Sequence, residues 1–296
     1  MKNCEVLDNL KKMIVGNDKS VLSFMFDIKD CELSIDEISF FLESLSSKLD
    51  YSDYYTISGS GGSRMYKPNI TSIAFLYIAS MGIKIVKTGS KSVTGYSGST
   101  DLFDKINLLN IDINNDKYHF AYYDGYCVSL WKKYKNLLSI NKSFKDFFDL
   151  YVFHDFKWKS KFSIQLNKTS ANNYLNKFSY RRPDDLYVVY STNNFPNIDE
   201  IICGDVYVND FKVYSAGEII NDCVLNNVDD INRLNIDLIR GINSSNYWYN
   251  SLMLEVAVFL FVNKLVCSIE EGKRKFEELF NDKSVVRMFS YCNVEF

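Results

Sequence analysis

The sequence is poor in the residues that most often mark a nucleophilic or metal site. It holds two histidines, His119 and His154, in 296 residues, and its seven cysteines (Cys4, Cys31, Cys127, Cys203, Cys223, Cys267, Cys292) never form a Cys-x-x-Cys pair. A structural zinc site is therefore not expected. An odd number of scattered thiols fits reduced cysteines in a cytoplasmic protein better than a disulfide framework. A basic surplus is missing too. The formal net charge is −3 and no lysine run exceeds a pair, whereas a duplex-binding domain carries a basic face. A long apolar run is also lacking: Leu252–Val262 is interrupted by Glu255, and a membrane span needs about 20 apolar residues. The opening Met1–Lys12 has no apolar stretch of the kind a secretory leader carries. Neither a membrane nor a nucleic acid is expected as a partner.

What is present is apolar and aromatic. Hydrophobic residues make up 47% and aromatics 16%, with 21 Tyr and 22 Phe spread along the chain. That is enough apolar matter for a large core. The even spread is read as the codon usage of a low-GC genome rather than a base-stacking platform.

Residues 1–50 read as short amphipathic helices. Ser34-Ile-Asp-Glu37 is a capping-box pattern, followed by Ile35, Ile38, Phe41, Leu42, Leu45 and Leu49 at helical spacing. After Asp50 the grammar changes. Tyr54–Ser58 predicts a short strand that runs into a glycine turn, Gly59-Ser60-Gly61-Gly62. Asn69–Ser72 opens an apolar helix that stops at Gly82, Ile83–Val86 predicts the next strand, and Lys87–Thr100 is a second loop. Asp101 starts another helix. Strand, glycine loop, helix, strand is α/β grammar with a largely parallel sheet. Residues 118–180 give no clear pattern. Beyond them Asp184–Tyr190 predicts a buried strand, Ile201–Val208 and Phe211–Ser215 two more, and Asp229–Arg240, Ser245–Val262 and Ser268–Phe280 three helices. The fold class expected is α/β: a small N-terminal helical domain, residues 1–50, and a large domain, residues 51–296, whose mostly parallel central sheet is flanked by helices.

Three features could carry chemistry. Glycines between a strand and a helix let backbone N–H groups approach a phosphate closely, with the helix dipole favouring the anion. The second loop adds Lys87, Lys91, three glycines and a series of Ser and Thr hydroxyls, a donor-rich and cationic set suited to a polyanion. Asp199-Glu200 is an adjacent carboxylate pair of the kind that holds Mg²⁺ together with substrate oxygens. Each has an ordinary structural reading as well: a tight turn, a surface loop, a solvated acidic pair. His154, among aromatics, reads first as a core histidine, and Glu255 as a carboxylate bonded to a buried donor.

The order and spacing of these features resemble a known family. GSGG, NITS and KTGSKSVTGYSGSTDLF resemble the anthranilate phosphoribosyltransferase pattern GTGGD, NIST and KHGNRSVSSxSGSADLL. LYVVYSTNNFPNIDEI resembles that family's segment with a metal-binding acid pair, and VNKLVCSIEEGKRKFEELF its SLEEG region. The resemblance implies that Gly59, Ser60, Gly61, Gly62, Asn69, Thr71, Ser72, Lys87, Ser97 and Ser99 bind phosphoribosyl pyrophosphate (PRPP). It implies that Asp199, Glu200 and the Thr71 hydroxyl hold Mg²⁺. It also implies a homodimer through residues 1–50, joined by helices from about 136–150, and a small aromatic acceptor. The chain departs from the pattern at Ser63, Thr88, Ser90 and Lys91, and the NLLGPLTNP segment of the acceptor side has no counterpart. Thr88, Ser90 and His154 are the acceptor-side candidates. The phosphoribosyl half is kept and the acceptor half rebuilt. A nucleoside phosphorylase of the same superfamily, or a relative that binds without catalysis, are the competing expectations.

Overall fold

Strands buried on both faces read as runs of β-branched and aromatic residues, and helices packed over them lose their polar face. Both effects are visible in the computed structural model of this chain, which describes residues 49–59, 66–89, 96–108, 119–124, 156–176, 185–192, 204–217 and 225–290. The chain divides into two compact units, one of residues 1–51, 125–157 and 177–182, the other of residues 52–124, 158–176 and 183–296. The described residues belong almost wholly to the second. The helices expected within 1–48 and 136–150 lie outside them, and the expected boundary at residue 50 falls inside a strand.

In chain order the elements are β1 (Leu49–Ser58), α1 (Ile70–Ser80), β2 (Ile85–Gly89), α2 (Ser99–Lys105), β3 (Phe120–Asp124), β4 (Phe156–Ile164) and α3 (Lys168–Asn176). They continue with β5 (Leu186–Ser191), β6 (Gly204–Val208), β7 (Phe211–Ala216), α4 (Val228–Ile239), α5 (Asn246–Val262), α6 (Ile269–Asn281) and α7 (Ser284–Ser290). The seven strands form one sheet in the order β3-β2-β1-β4-β5-β6-β7. β1/β2, β2/β3 and β4/β5 pair in parallel, whereas β5/β6 and β6/β7 are antiparallel. The sheet is mostly parallel, as expected.

Two strand expectations need correction. β2 begins at Ile85, not Ile83, and runs on through Lys87 to Gly89, residues assigned above to the second loop. Each of these backbone positions pairs with β3, whose strand the sequence did not reveal. β1 is also longer than the five residues expected. The unreadable stretch contains β3, β4 and α3. Lys157, Lys159 and Lys161 alternate there with Trp158, Ser160 and Phe162, so the lysines mask an ordinary strand.

The core lies between one face of the sheet and α1, α4, α5 and α6. Helix α1 is buried at Ile70 and from Ser72 to Ala79. It ends where Gly82 takes φ +77°, the left-handed conformation that closes a helix. Tyr77 of α1 donates its hydroxyl to the Leu238 carbonyl of α4 at 2.7 Å, and its ring meets Phe276 of α6 edge-on at 5.1 Å. Phe259 of α5 packs on Tyr55 of β1 at 5.8 Å and on Phe162 of β4 at 5.4 Å. Burying each such ring contributes roughly 1.5–3 kcal/mol. Helices α5 and α6 come close enough that Gly272 faces the Ala257 backbone, where an added Cβ would lie 2.8 Å from Cα. Among the described residues no helix is long and apolar enough to cross a membrane.

Candidate functional site

Three neighbouring parallel strands, β1, β2 and β3, end on the same edge of the sheet, where the crevice of an open α/β sheet lies. β1 ends at Ser58 and leads into Gly59. A Cβ on Gly59 would stand 3.2 Å from Thr71 Oγ1, so the start of the glycine turn rests on the first turn of α1. Asn69, the residue before α1, does not cap the helix with its own side chain. Its hydrogen bonds go elsewhere. The backbone N–H donates to Asn235 Oδ1 on α4 at 2.8 Å, and Nδ2 donates to Ser97 Oγ at 3.0 Å and to the Gly98 carbonyl at 3.3 Å. One side chain therefore joins the start of α1 to the end of the second loop.

The second loop closes on α1 and β2 by two further contacts. Ser72 Oγ donates to Ser99 Oγ at 2.9 Å. Gly89 ends β2 directly against α2: an added Cβ would fall 2.7 Å from Ser99 Cβ and 3.0 Å from Tyr122 Oη. Glycine is required there by space alone, since a real Cβ never approaches so closely. Tyr122 is itself fixed by a 2.7 Å hydrogen bond with Thr100 Oγ1, and the Gly98 N–H donates to Asp101 Oδ2 at 2.8 Å. Tyr66, after the glycine turn, and Tyr96, within the second loop, stack at 3.7 Å between ring centroids. Of the residues expected to bind PRPP, Gly59, Asn69, Thr71, Ser72, Lys87, Ser97 and Ser99 are described. Hydrogen bonds join Asn69 to Ser97 and Ser72 to Ser99, and Gly59 faces Thr71 so closely that an added Cβ would stand 3.2 Å from its Oγ1.

Lys87 lies in the floor of this edge. It is 2% exposed and pairs in register with Ile57 of β1 and Tyr122 of β3. Burial lowers its ammonium from the usual lysine range to about 8; the Glu255 carboxylate on α5 works against that lowering and the Lys67 ammonium adds to it. Glu255 is 1% exposed. A buried cation beside a second lysine is a place where an anion lowers the electrostatic cost.

The remaining expected residues lie outside the described set: Ser60, Gly61, Gly62, Ser90, His154, Asp199 and Glu200. Thr88 is described by its backbone alone, on β2 opposite Tyr123. Thr192 and Asp205, on either side of the stretch that contains the acid pair in the sequence, bond to each other. The Thr192 N–H donates to the Asp205 carbonyl at 2.9 Å, and the Asp205 N–H to Thr192 Oγ1 at 2.9 Å. Among the described residues no cluster of three or more His, Cys, Asp or Glu could hold a metal.

Two residues of this site escaped the sequence reading. Asn235 occupies an apolar position of α4, in line with Ile231, Leu234, Leu238 and Ile239 and 1% exposed. A polar residue on that stripe was the available signal. Lys67 lies between the two motifs, and nothing in their patterns marked it.

Residues 53–135 match the family model described as glycosyl transferase family, a/b domain. Anthranilate phosphoribosyltransferases of two Staphylococcus aureus strains are each 27% identical over 116 residues, 38% of this chain and 35% of theirs. The matched stretch thus spans about a third of the length of these curated relatives. Among solved structures, an anthranilate phosphoribosyltransferase from Saccharomyces cerevisiae in complex with PRPP and Mg superposes with a TM-score of 0.69 at 18% identity, covering 97% of this chain and 89% of that one. The enzyme from Thermus thermophilus gives a TM-score of 0.66 at 12% identity, over 98% and 94% of the two chains. At such identities these structures establish a shared fold.

Proposed function

We propose that this chain is an anthranilate phosphoribosyltransferase-like enzyme that moves the 5-phosphoribosyl group of PRPP to a small aromatic or heteroaromatic acceptor with Mg²⁺ as cofactor. The observation that carries the reading is the junction of the two loops through Asn69, with Thr71 against Gly59 and Ser72 on Ser99. Two backbone-rich segments joined at the carboxyl edge of a parallel sheet suit a ligand with several phosphate oxygens.

In this reading Gly59, Ser60, Gly61 and Gly62 give the ligand close access to backbone N–H groups, while Lys87, Ser97 and Ser99 supply a cation and hydroxyl donors. Asp199, Glu200 and the Thr71 hydroxyl offer oxygen donors of the type Mg²⁺ takes, and the ion, when bound, supplies charge neutralisation at the leaving pyrophosphate. The anomeric C–O bond breaks towards pyrophosphate, the ribose ring takes on oxocarbenium character, and an acceptor nitrogen attacks from the opposite face. Catalysis then rests on positioning and on charge stabilisation. A chain with two histidines needs no strong general base for such an acceptor. Thr88, Ser90 and His154 are placed on the acceptor side, where the departures from the family pattern imply an altered specificity. Residues 1–50 are assigned to a homodimer contact, which sedimentation analysis of the full chain against a truncation would test, and the cytoplasm is the location that suits free thiols.

Thermal melting with PRPP, with and without Mg²⁺, followed by turnover against a panel of aromatic amines including anthranilate, tests the reading. Stabilisation that requires both ligands is expected. Asp199→Ala and Glu200→Ala should abolish Mg²⁺-dependent turnover; undiminished turnover in both would remove the metal assignment. Turnover of a nucleoside with phosphate, and none of PRPP, would replace the transferase with a phosphorylase.

A further inference from the structure

Lys87 is the residue of this edge whose charge is hardest to maintain, and what maintains it lies on another element. The helix and strand geometry shows how. Phe259 of α5 rests on Tyr55 of β1. Four residues earlier on the same helical face, about 6 Å along the axis, comes Glu255. Two residues beyond Tyr55, about 6.6 Å along the strand, comes Ile57, which pairs with Lys87. The helix runs against the strands, since Asn263 at its C-terminal end bonds Ser160 of β4 while Phe259 meets Phe162, so the step back to Glu255 leads toward Ile57 and its strand neighbour Lys87, on whose ammonium the carboxylate acts. Ser251, one turn earlier again, is buried as well. The sheet-facing stripe of an otherwise apolar helix thus turns polar where it passes the edge that carries the loops.

We propose that Glu255 is a positioning residue that keeps the buried Lys87 ammonium charged and directed at the phosphate groups of the ligand. This rests on reading the site as a PRPP cleft. Burial lowers the Lys87 ammonium below the usual lysine range, and the Glu255 carboxylate opposes that lowering. Lys87 meets Glu255 from α5, Lys67 from the segment before α1, and Tyr122 from β3, whose hydroxyl is already bonded to Thr100. An arriving pyrophosphate therefore meets a cation that is already protonated.

The test is the pH dependence of the full chain and of Glu255→Gln, which keeps shape and loses charge. Lysine-labelled protein followed by NMR, with Lys87→Met to assign the signal, reads the titration directly. PRPP affinity with Mg²⁺, measured from pH 6 to 9, reads its consequence. In Glu255→Gln the Lys87 midpoint should fall by about one pH unit or more. The affinity should match the natural protein near pH 6, fall about fivefold short of it near pH 8 and approach a tenfold shortfall by pH 9, because displacing a titration midpoint from about 8 by one pH unit changes the protonation equilibrium by about a factor of ten. Glu255→Asp should restore most of the alkaline limb. An unmoved Lys87 midpoint, or an affinity loss of equal size at every pH, would overturn the proposal. A moved midpoint in a protein that takes no PRPP would support the charge couple and overturn the ligand reading instead. Melting curves by circular dichroism establish that each variant is folded.

Discussion

Gly89 shows how one hydrogen atom in place of a methyl group can decide the shape of a site. Its α-carbon is so near Ser99 and Tyr122 that Gly89→Ala forces α2 away from β2. Overpacking of this kind costs about 1–3 kcal/mol. We expect that loss in chemical denaturation, together with weaker PRPP binding, because Ser99 is also the partner of Ser72. A second residue prediction concerns Gly241, at φ +71° with an added Cβ only 2.4 Å from the Phe280 carbonyl. Gly241→Ala should lower stability and leave ligand affinity unchanged, since it lies at the junction of α4 and α6. Single residues were also where the sequence spoke most clearly. The glycine turn and the donor-rich second loop stood out by local composition, the individual residues Asn69, Thr71 and Ser72 only through the family resemblance, and the structure joins Asn69 to Ser97 and Ser72 to Ser99. Asn235 and Lys67 could not, because their importance arises from neighbours far away in the chain.

Helix and strand starts carry the next level of organisation. Helix α4 is capped by Asn227, which accepts from the Asp230 N–H at 2.9 Å, and α6 by Ser268, which accepts from the Glu271 N–H at 3.1 Å. Ser268→Ala should cost about 1 kcal/mol by thermal or urea unfolding. Helix α1 differs: the N–H of the residue before it is held by α4. Asn235→Ala leaves the half-buried Asn69 N–H without its acceptor, a loss of about 1–3 kcal/mol, and loosens the helix start on which Gly59 rests. Stability and PRPP affinity should fall together, whereas Ser268→Ala should alter stability alone. Element types were legible where an apolar run was long and its ends were marked, as in α1, α5 and α6, each found within one or two residues of its expected bounds. β4 and α3 were not, because Lys159 and Lys161 sit on a strand whose aromatic neighbours provide its burial. Lys159 covers the Tyr55 ring at 4.8 Å and Lys161 the Tyr174 ring at 5.8 Å. Their stems and charges find aromatic surface, which a polar-apolar pattern cannot record.

For the molecule as a whole the buried lysine sets a pH dependence. The unfolded chain holds this proton until about pH 10.5 and the folded chain until about pH 8. Below pH 8 both states are protonated, and the cost of burying the charge is fully present. Between pH 8 and 10.5 the unfolded state binds more protons, so this group's contribution to stability rises with pH. The difference corresponds to about 3 kcal/mol at the upper end. Denaturation at pH 7 and 9.5 should show it as a change that Lys87→Met removes. Ligand affinity should run the other way, falling over the same interval. At a hundred times its dissociation constant PRPP should add about 2.7 kcal/mol of stability; no rise in melting temperature at any pH would contradict the site. The architecture at this scale was foreseeable from the alternation of strands, glycine loops and helices. The sheet order was not, because it depends on pairings such as β2 with β3 that join residues separated by an unpatterned stretch.

The tie between Thr192 and Asp205 has a consequence for the neck between β5 and β6. The Thr192 hydroxyl is the acceptor of the Asp205 N–H, while the Thr192 N–H donates to the Asp205 carbonyl. Thr192→Val keeps the shape and removes the first of these two bonds, whereas β5 and β6 stay paired at Val189 and Val208; the loss, no more than about 1 kcal/mol in urea unfolding, falls on this neck and leaves the sheet in register.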